Sequence, residues 1–348
     1  MLSFYPGPSK VHPEVLGFIQ EAFSNGVVSI NHRSERFEVL LKDTLQILHE
    51  KWNIPQDYTL YFISSATEAW EIVAQSLIKE KSLHLYNSAF GKKWAHYSAS
   101  VAESFEFSID QSLAEIAQQI GPIQGDTLCL VQSETSNGTG QKIRRADFQL
   151  ADDALVAVDA TSSMGGIELP WSEADVWLAS VQKCIGIPAG MGLMICSQKA
   201  VARAKEVGRA DHYNDVLYLE ENRRLFQTQM TPNVLSIYLV YRLTQQLPMI
   251  SEVHRATLAK MKIWTDFWDN ETEFSYLIEN PALRLPTVLA LTGAPDKIKQ
   301  LHQICLIKDI ELGKGYGKWK ETSFRIANFP AHTIEDIETL IQTIKYEL

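Results

Sequence analysis

Two residues of opposite charge, Asp159 and Lys183, stand just after short apolar runs of this 348-residue chain. Asp159 ends the run over residues 155–158, and Lys183 comes four residues after the run over residues 176–179. A lysine amine forms imines with carbonyl compounds, and a carboxylate can keep a pyridine nitrogen protonated. Together they are the minimal apparatus for holding pyridoxal 5′-phosphate (PLP) as a Schiff base. Taken singly, Asp159 could cap a helix and Lys183 could be a surface lysine.

A segment of small and hydroxyl residues, 64–68, joins the apolar run over residues 60–63 to a helical pattern. Ala66 and Thr67 fall at the start of that helix, where backbone N–H groups and the helix dipole favour a phosphate. A plain helix cap fits the same residues. The dinucleotide fingerprint G-x-G-x-x-G follows no predicted strand, so a dinucleotide site is not indicated.

Two further residues follow predicted strands. Phe90 comes after the apolar run over residues 83–86 and could stack on a planar cofactor, although a single phenylalanine is more often part of the core. Thr135 follows the run over residues 127–131 and could bond a ring substituent or, equally, cap a turn.

The elements that must position these residues form a regular pattern. Between residues 59 and 196, short apolar runs alternate with helix-length segments. The predicted strands are 60–63, 83–86, 127–131, 155–159, 176–180 and 192–196, and predicted helices include 66–79 and 93–103. This alternation predicts an α/β fold with a mostly parallel sheet covered on both faces. In such sheets, ligands bind beyond the carboxyl ends of the strands.

The two ends of the chain depart from this pattern. Two prolines and a glycine predict an irregular arm over residues 3–9. The tail from residue 284 predicts, in order, a strand, a helix (296–307), a Gly/Lys-rich loop, a strand (323–327) and a helix (333–346). We therefore predict an N-terminal arm (1–14), a large PLP-binding domain (15–248) and a small α+β domain (249–348).

Composition limits the partners of the chain. A net charge of −10 gives no general attraction to nucleic acid, and no apolar run reaches the ~20 residues of a membrane span. The N-terminus lacks a secretory signal pattern, which makes the cytoplasm the expected compartment. The cysteines show no metal-ligand spacing, so no metal site is predicted.

With these positions named, nearly the whole chain resembles the fold-type I, class V aminotransferases, and within them the phosphoserine aminotransferases. The strongest signals are Asp159 followed by small and hydroxyl residues, and Lys183 preceded by Gln182 and a small residue. The resemblance implies a seven-stranded sheet in the large domain. It also implies that PLP is held by Ala66, Thr67, Phe90, Thr135, Asp159, Gln182, Lys183 and Thr231.

The resemblance assigns substrate-binding roles as well. His32 and Arg33 resemble a family segment that lines the substrate pocket, and Arg325 matches the arginine that clamps the substrate α-carboxylate. A guanidinium pairs with a carboxylate through two parallel hydrogen bonds, which suits Arg to that role. Thr231 would act across a subunit interface, so the resemblance implies a homodimer.

Two departures from the family pattern concern phosphate groups. Met230 stands where the family has an asparagine that reaches the cofactor phosphate of the neighbouring subunit. Phosphoserine enzymes carry a His-Arg pair shortly before the clamping arginine, whereas this chain has Lys318 and Lys320 in the loop over residues 317–321. Lysines can bind phosphate as point charges, so Lys318 or Lys320 could replace that pair.

These observations favour a PLP-dependent aminotransferase of serine biosynthesis that uses phosphoserine with 2-oxoglutarate and glutamate. A first alternative is a class V aminotransferase for a non-phosphorylated substrate, such as alanine or serine, with glyoxylate or pyruvate. An alternative of another class is a non-catalytic PLP-binding protein on the same fold. The joint presence of Lys183, Asp159, Gln182 and Arg325 argues against it, because a carrier needs no carboxylate clamp.

Overall fold

The computed structural model describes residues 1–208 and 212–347. Its strands are β1 (Leu2–Phe4), β2 (Thr59–Ile63), β3 (Ser82–Tyr86), β4 (Ala102–Glu106), β5 (Thr127–Val131), β6 (Ser133–Glu134), β7 (Thr139–Gly140), β8 (Leu155–Asp159), β9 (Val176–Ser180), β10 (Gly192–Cys196), β11 (Phe274–Tyr276), β12 (Val288–Gly293), β13 (Ile310–Lys314) and β14 (Ser323–Ala327). Its α-helices are α1 (Val15–Ser24), α2 (Glu35–Lys51), α3 (Ala66–Ser76), α4 (Ala89–Tyr97), α5 (Leu113–Ile120), α6 (Gln198–Val207), α7 (Val216–Arg224), α8 (Val234–Gln246), α9 (Ile250–Trp268), α10 (Pro295–Ile307) and α11 (Ile334–Glu347).

A seven-stranded sheet with the order β2-β10-β9-β8-β5-β3-β4 forms the centre of the molecule. The β3/β4, β3/β5, β5/β8 and β8/β9 pairs are parallel, and β10 runs antiparallel to both of its neighbours. Every residue of β5, β8, β9 and β10 is buried, as expected for a sheet covered on both faces. The predicted mostly parallel α/β architecture is confirmed.

Alternate residues of β2, β5, β8, β9 and β10 enter two different cores. In β8, Val156 and Val158 pack in the core that contains α1, α2 and α8, whereas Leu155 and Ala157 pack in the core that contains α3, α6 and α7. This alternation follows from the twofold period of a strand. The sheet is therefore held rigidly from both sides, and its carboxyl edge gives a fixed platform for loops.

A second, five-stranded sheet has the order β1-β13-β14-β12-β11. Its core includes Phe4 from the N-terminus together with Trp264 and Trp268 of α9. The predicted irregular arm over residues 3–9 is wrong at its start, because β1 pairs in parallel with β13. Phe4 is fully buried there, and this burial stabilises a strand too short for sequence periodicity to reveal.

Two predicted elements also differ from the structure. The helix predicted over residues 93–103 is α4, which begins and ends earlier, and β4 follows it. β4 is an edge strand with mostly exposed and charged side chains, so it lacks the apolar pattern of a buried strand. The Gly/Lys-rich loop predicted before residue 323 contains β13.

The predicted boundary at residue 248 falls between α8 and α9. Residues of α8 pack in the core of the large sheet, whereas Trp264 of α9 packs in the core of the small sheet. The predicted limits of the N-terminal arm (1–14), the large domain (15–248) and the small domain (249–348) remain predictions. Across the described ranges, none of the helices is long and apolar enough to cross a membrane.

Candidate active site

A cavity of about 190 Å³ lies at the carboxyl edge of the large sheet. This is the edge where sheets of this kind bind ligands. Seven of the residues predicted to contact a cofactor line this cavity: Ala66, Thr67, Phe90, Thr135, Asp159, Gln182 and Lys183. Further lining residues are Gly7, Pro8, Trp70, Lys93, Val131, Ser133, Thr161 and Ser180.

The strand order explains why distant residues meet here. Asp159 ends β8 and pairs in register with Val131 of β5 and Leu178 of β9. Thr135 follows β5 and Lys183 follows β9, so their loops emerge on either side of Asp159. Parallel neighbouring strands thus carry a hydroxyl, a carboxylate and an amine to one place.

The Lys183 side chain is buried between hydroxyl groups and an aromatic ring. Its Nζ donates hydrogen bonds to Thr135 Oγ1 at 2.6 Å and to Ser162 Oγ at 3.1 Å, and it lies 5.2 Å from the centroid of the Phe90 ring. A Cβ atom on Gly7 would lie 2.9 Å from Lys183 Cε. Glycine at position 7 therefore lets the N-terminal segment cover the lysine.

Burial lowers the pKa of Lys183 to about 8, and the nearby carboxylates of Asp159 and Glu134 act in the opposite direction. The Arg325 guanidinium adds a smaller lowering effect. Because this pKa lies well below that of an ordinary lysine, about a tenth of the amine is the neutral nucleophile at pH 7. This is the property that imine chemistry requires of a lysine.

Asp159 is also buried, and its two carboxylate oxygens are held by different donors. Trp70 Nε1 donates to Oδ2 at 3.0 Å, and the Thr161 backbone N–H donates to Oδ1 at 2.9 Å. Burial raises the pKa of Asp159, while these hydrogen bonds and the charge of Lys183 act to lower it. The carboxylate is fixed in direction and would be stabilised further by a cationic partner.

The start of α3 meets the same cavity. Ser65 caps the helix by accepting the Glu68 backbone N–H at 3.1 Å, and the Ala66 backbone N–H donates to Ser180 Oγ at 3.0 Å. A Cβ atom on Gly192 would lie 2.7 Å from the Ser65 carbonyl carbon, so glycine allows β10 to approach the helix start. The arrangement directs a helix N-terminus, with its partial positive charge, at the cavity.

A second buried carboxylate, Glu134, fixes the backbone of Phe90. Its Oε2 accepts the backbone N–H groups of Phe90 at 3.1 Å and of Gly91 at 3.2 Å, and its Oε1 accepts the Ser136 N–H at 3.1 Å and the Ser136 hydroxyl at 2.5 Å. Burial raises the pKa of Glu134, and the Ser136 and Gly91 donors oppose that rise. Glu134 thereby anchors the first turn of α4.

Arg325 lies in β14 of the small sheet and is only 4% exposed. Its Nη1 donates to the Thr135 carbonyl oxygen at 2.8 Å, and its Nε donates to the Lys314 carbonyl oxygen at 2.9 Å. Burial lowers the pKa of Arg325. The bond to Thr135 joins the small sheet to the loop that also contacts Lys183, so the guanidinium adjoins the cavity.

Five predicted residues stay outside the cavity lining in the part of the chain that the structure describes: His32, Arg33, Thr231, Lys318 and Arg325, of which Arg325 adjoins it through its hydrogen bond to Thr135. Arg33 Nη1 donates to Gln227 Oε1 at 2.5 Å, and Thr231 is exposed. Lys318 is exposed, with its Nζ 4.5 Å from the centroid of the Trp319 ring. Their predicted roles remain predictions.

Sequence reasoning missed several residues of the site. Trp70 contacts Asp159, Ser162 contacts Lys183, Glu134 anchors α4, and Lys93 lines the cavity. A signal existed for Trp70, because it lies one turn after Ala66 on a buried helix face and an indole N–H needs an acceptor. For Ser162 and Glu134 the partners are set by packing between loops, which the local sequence does not encode.

Comparison with known proteins gives a consistent assignment. The family model described as aminotransferase class-V matches residues 1–315. A phosphoserine aminotransferase of Rhodococcus opacus (strain B4) is 28% identical over 358 residues, covering 98% of this chain and 93% of that protein. The crystal structure of a phosphoserine aminotransferase from Cytophaga hutchinsonii is 30% identical, with a TM-score of 0.91 and coverage of 100% and 99% of the two chains.

An aspartate aminotransferase from Thermus thermophilus shares the fold at 17% identity, with a TM-score of 0.86 and full coverage of both chains. The predicted family, fold type and enzyme class, that of PLP-dependent transaminases, are confirmed by the family match and the relatives. Matched over most of its length and folded as its relatives are, the chain belongs to the class-V aminotransferase family.

Proposed function

We propose that the protein binds PLP in the cavity beside Lys183 and transfers amino groups at that site. The observation that carries the proposal is the buried Lys183 amine, with a pKa of about 8, in one cavity with the buried Asp159 carboxylate. A group that is both a lysine-reactive aldehyde and a ring with a basic nitrogen would use both residues.

The residues present fit PLP in three further respects. The N-terminus of α3, at Ala66 and Thr67, suits a phosphate group. The Phe90 ring suits one face of a pyridine ring. The buried hydroxyl of Thr161 lines the cavity beside Asp159, where it could bond a polar ligand.

When bound, PLP would supply an aldehyde carbon for amines and a ring that withdraws electrons from the substrate Cα. Lys183 Nζ would hold the cofactor and then accept and return the Cα proton. Asp159, fixed by Trp70 and Thr161, would keep the ring nitrogen protonated. Arg325 would bind the substrate carboxylate through its guanidinium.

For the substrate, we infer phosphoserine as amino donor and 2-oxoglutarate as acceptor. The relatives that match over 98% of this chain are named phosphoserine aminotransferases, and this supports the inference. The exposed Lys318 and Lys320 precede Arg325 and could pair with a substrate phosphate. A non-phosphorylated donor such as alanine or serine is the alternative, because the His-Arg pair of phosphoserine enzymes is not present in this loop.

The test is a panel of phosphoserine, serine and alanine, each at fixed 2-oxoglutarate with the purified PLP-loaded protein. We expect kcat/KM to be highest for phosphoserine. Replacing Lys318 and Lys320 together by Ala should lower kcat/KM for phosphoserine about tenfold, since each charge contact at an exposed site contributes only modest binding energy. The kcat/KM for serine should stay unchanged. Lys262→Ala, at an exposed position of α9 paired with Asp266, is the matched control. Higher kcat/KM for serine or alanine would favour the alternative donor.

A further inference from the structure

The loop between β13 and β14 contains a glycine-flanked tyrosine, Tyr316, whose backbone forms part of a compact turn and whose side chain is 42% exposed. A Cβ atom on Gly315 would lie 2.2 Å from the Trp319 carbonyl oxygen, and Gly317 has a φ of +57°. The Trp319 backbone N–H donates to the Tyr316 carbonyl oxygen at 3.1 Å, and Ser323 Oγ donates to the Trp319 carbonyl oxygen at 2.8 Å. Glycine on both sides thus permits a compact turn that presents the Tyr316 ring.

The Tyr316 ring contacts residues of both sheets. Its centroid lies 5.7 Å from that of Phe90, with 28° between the ring planes. The Arg325 guanidinium carbon lies 5.6 Å from the centroid of the same ring. Phe90 belongs to α4 beside the large sheet, and Arg325 belongs to β14 in the small sheet. Tyr316 therefore joins the aromatic wall of the cavity to the adjoining guanidinium.

We propose that Tyr316 is a positioning residue that holds the Phe90 ring and the Arg325 guanidinium in place through its aromatic faces. The inference rests on the proposed function, because it assumes that Phe90 faces a cofactor ring and that Arg325 binds a substrate carboxylate. It adds a role for a residue that lies outside the cavity lining in the part of the chain the structure describes.

The contacts of Arg325 show why a third constraint matters. Hydrogen bonds to the Thr135 and Lys314 carbonyl oxygens hold Nη1 and Nε in the guanidinium plane. An aromatic face beside that plane limits its tilt, which in-plane bonds control weakly. A guanidinium fixed in both respects loses less entropy when a carboxylate binds.

Phe90 needs a comparable constraint. The Glu134 carboxylate fixes its backbone N–H, but the ring still turns about its side-chain torsions. A near-parallel Tyr316 ring, with its centroid 5.7 Å from that of Phe90, restricts that motion. The Phe90 ring in the cavity lining is thus backed by a second ring from the loop between β13 and β14.

The test compares Tyr316→Ala with Tyr316→Phe, which keeps the ring and removes the hydroxyl. Glutarate, a dicarboxylate that cannot react, is titrated into the PLP-loaded protein, and its binding is followed by the visible spectrum. Retention of PLP is measured separately by dialysis. We expect Tyr316→Ala to raise the glutarate Kd about tenfold and the PLP Kd about threefold, in line with one cation–π and one aromatic contact. Tyr316→Phe should stay within about twofold of the unmodified protein.

Tyr346→Ala is the control, because Tyr346 is a highly exposed tyrosine of α11. Circular dichroism checks that each variant is folded. Unchanged glutarate and PLP affinities in Tyr316→Ala would overturn this inference and leave the proposed function standing. An equal loss of affinity in Tyr316→Phe would also overturn it, because the effect would then belong to the hydroxyl. Failure of the unmodified protein to bind PLP would instead overturn the proposed function, on which the inference rests.

Discussion

At the residue scale, the site depends on two buried groups that would each be unfavourable alone. Removing an ammonium or a carboxylate from water costs several kcal/mol unless partners compensate. Burial lowers the pKa of Lys183 and raises that of Asp159, so both shifts favour the neutral forms. Hydroxyl groups of Thr135 and Ser162 suit this state, because a hydroxyl can accept from an ammonium or donate to a neutral amine.

The pKa of about 8 for Lys183 predicts how PLP capture depends on pH. Only the neutral amine attacks an aldehyde, and its fraction falls about tenfold per pH unit below the pKa. We expect the rate at which cofactor-free protein captures PLP to rise through pH 6–8 and level off above about pH 9. A stopped-flow absorbance series against pH measures this, with free lysine blocked by acetylation of its α-amine as the reference. A midpoint near that of the blocked lysine would contradict the lowered pKa, and Lys183→Ala should not form the absorbing species.

Much of the residue-level site could be predicted from the sequence. Asp159 and Lys183 stand after apolar runs that can only be buried strands, and the carboxyl edge of the sheet gathers such residues. Trp70 and Ser162 could not be assigned, because their partners depend on loop paths and on rotamers. Arg33 and Thr231 could be predicted only from resemblance, and they lie outside the cavity lining formed by residues 1–208 and 212–347.

At the element scale, α4 shows how one carboxylate sets a helix start. Glu134 accepts the N–H groups of Phe90 and Gly91, so the helix begins earlier than its apolar pattern predicts. A Cβ atom on Gly91 would lie 2.4 Å from Tyr86 Cβ, so glycine lets α4 pack directly against the end of β3. Sequence periodicity placed the helix later because it detects an apolar stripe and not a cap formed by a residue 43 positions away.

Glu134→Gln should therefore weaken PLP binding while the protein stays folded. The amide oxygen can accept from Phe90 and Gly91, but the amide NH2 group would then face the N–H and hydroxyl of Ser136. The lost charge-assisted bonds, about 1.5–3 kcal/mol, lower the free energy of unfolding, whereas a displaced Phe90 ring weakens one aromatic contact of about 0.5–1.5 kcal/mol. We therefore expect the PLP Kd to rise about 2-fold to 10-fold in a visible-absorbance titration.

Glu115→Gln is a matched control for that variant. Glu115 caps α5 through the Ser112 N–H at 2.7 Å, and it is an exposed carboxylate at a helix start away from the cavity. The Glu115→Gln change should lower Tm slightly and leave the PLP Kd unchanged. Equal PLP affinities in the Glu134→Gln and Glu115→Gln proteins would show that Glu134 only stabilises its helix.

At the scale of the whole molecule, the N-terminal segment connects the two sheets beside the cavity. β1 pairs with β13 of the small sheet, and the Ser9 N–H donates to the Gln182 carbonyl oxygen at 3.2 Å. Between these points, Gly7 covers the Lys183 side chain. A change in the position of the small sheet would thus reach the loop that carries Lys183 through a short segment of chain. The sequence did not reveal this connection, because β1 and β13 are more than 300 residues apart.

We expect a second copy of the chain to complete the site, because the resemblance to class V aminotransferases assigns Arg33 and Thr231 to the site and both lie outside the cavity lining formed by residues 1–208 and 212–347. A mixture of two defective proteins tests this. A mixed dimer contains one Lys183→Ala subunit and one Arg33→Ala subunit. One of its two sites would combine Lys183 of the Arg33→Ala subunit with Arg33 of the Lys183→Ala subunit, and that site would be intact. Random pairing gives mixed dimers half of the time, each with one active site, so we expect about one quarter of the normal kcat after co-refolding. If Arg33 serves the site of its own subunit, mixing recovers nothing. The double variant Lys183→Ala/Arg33→Ala, mixed with Lys183→Ala, must stay inactive in either case, because Lys183 is then missing from both subunits.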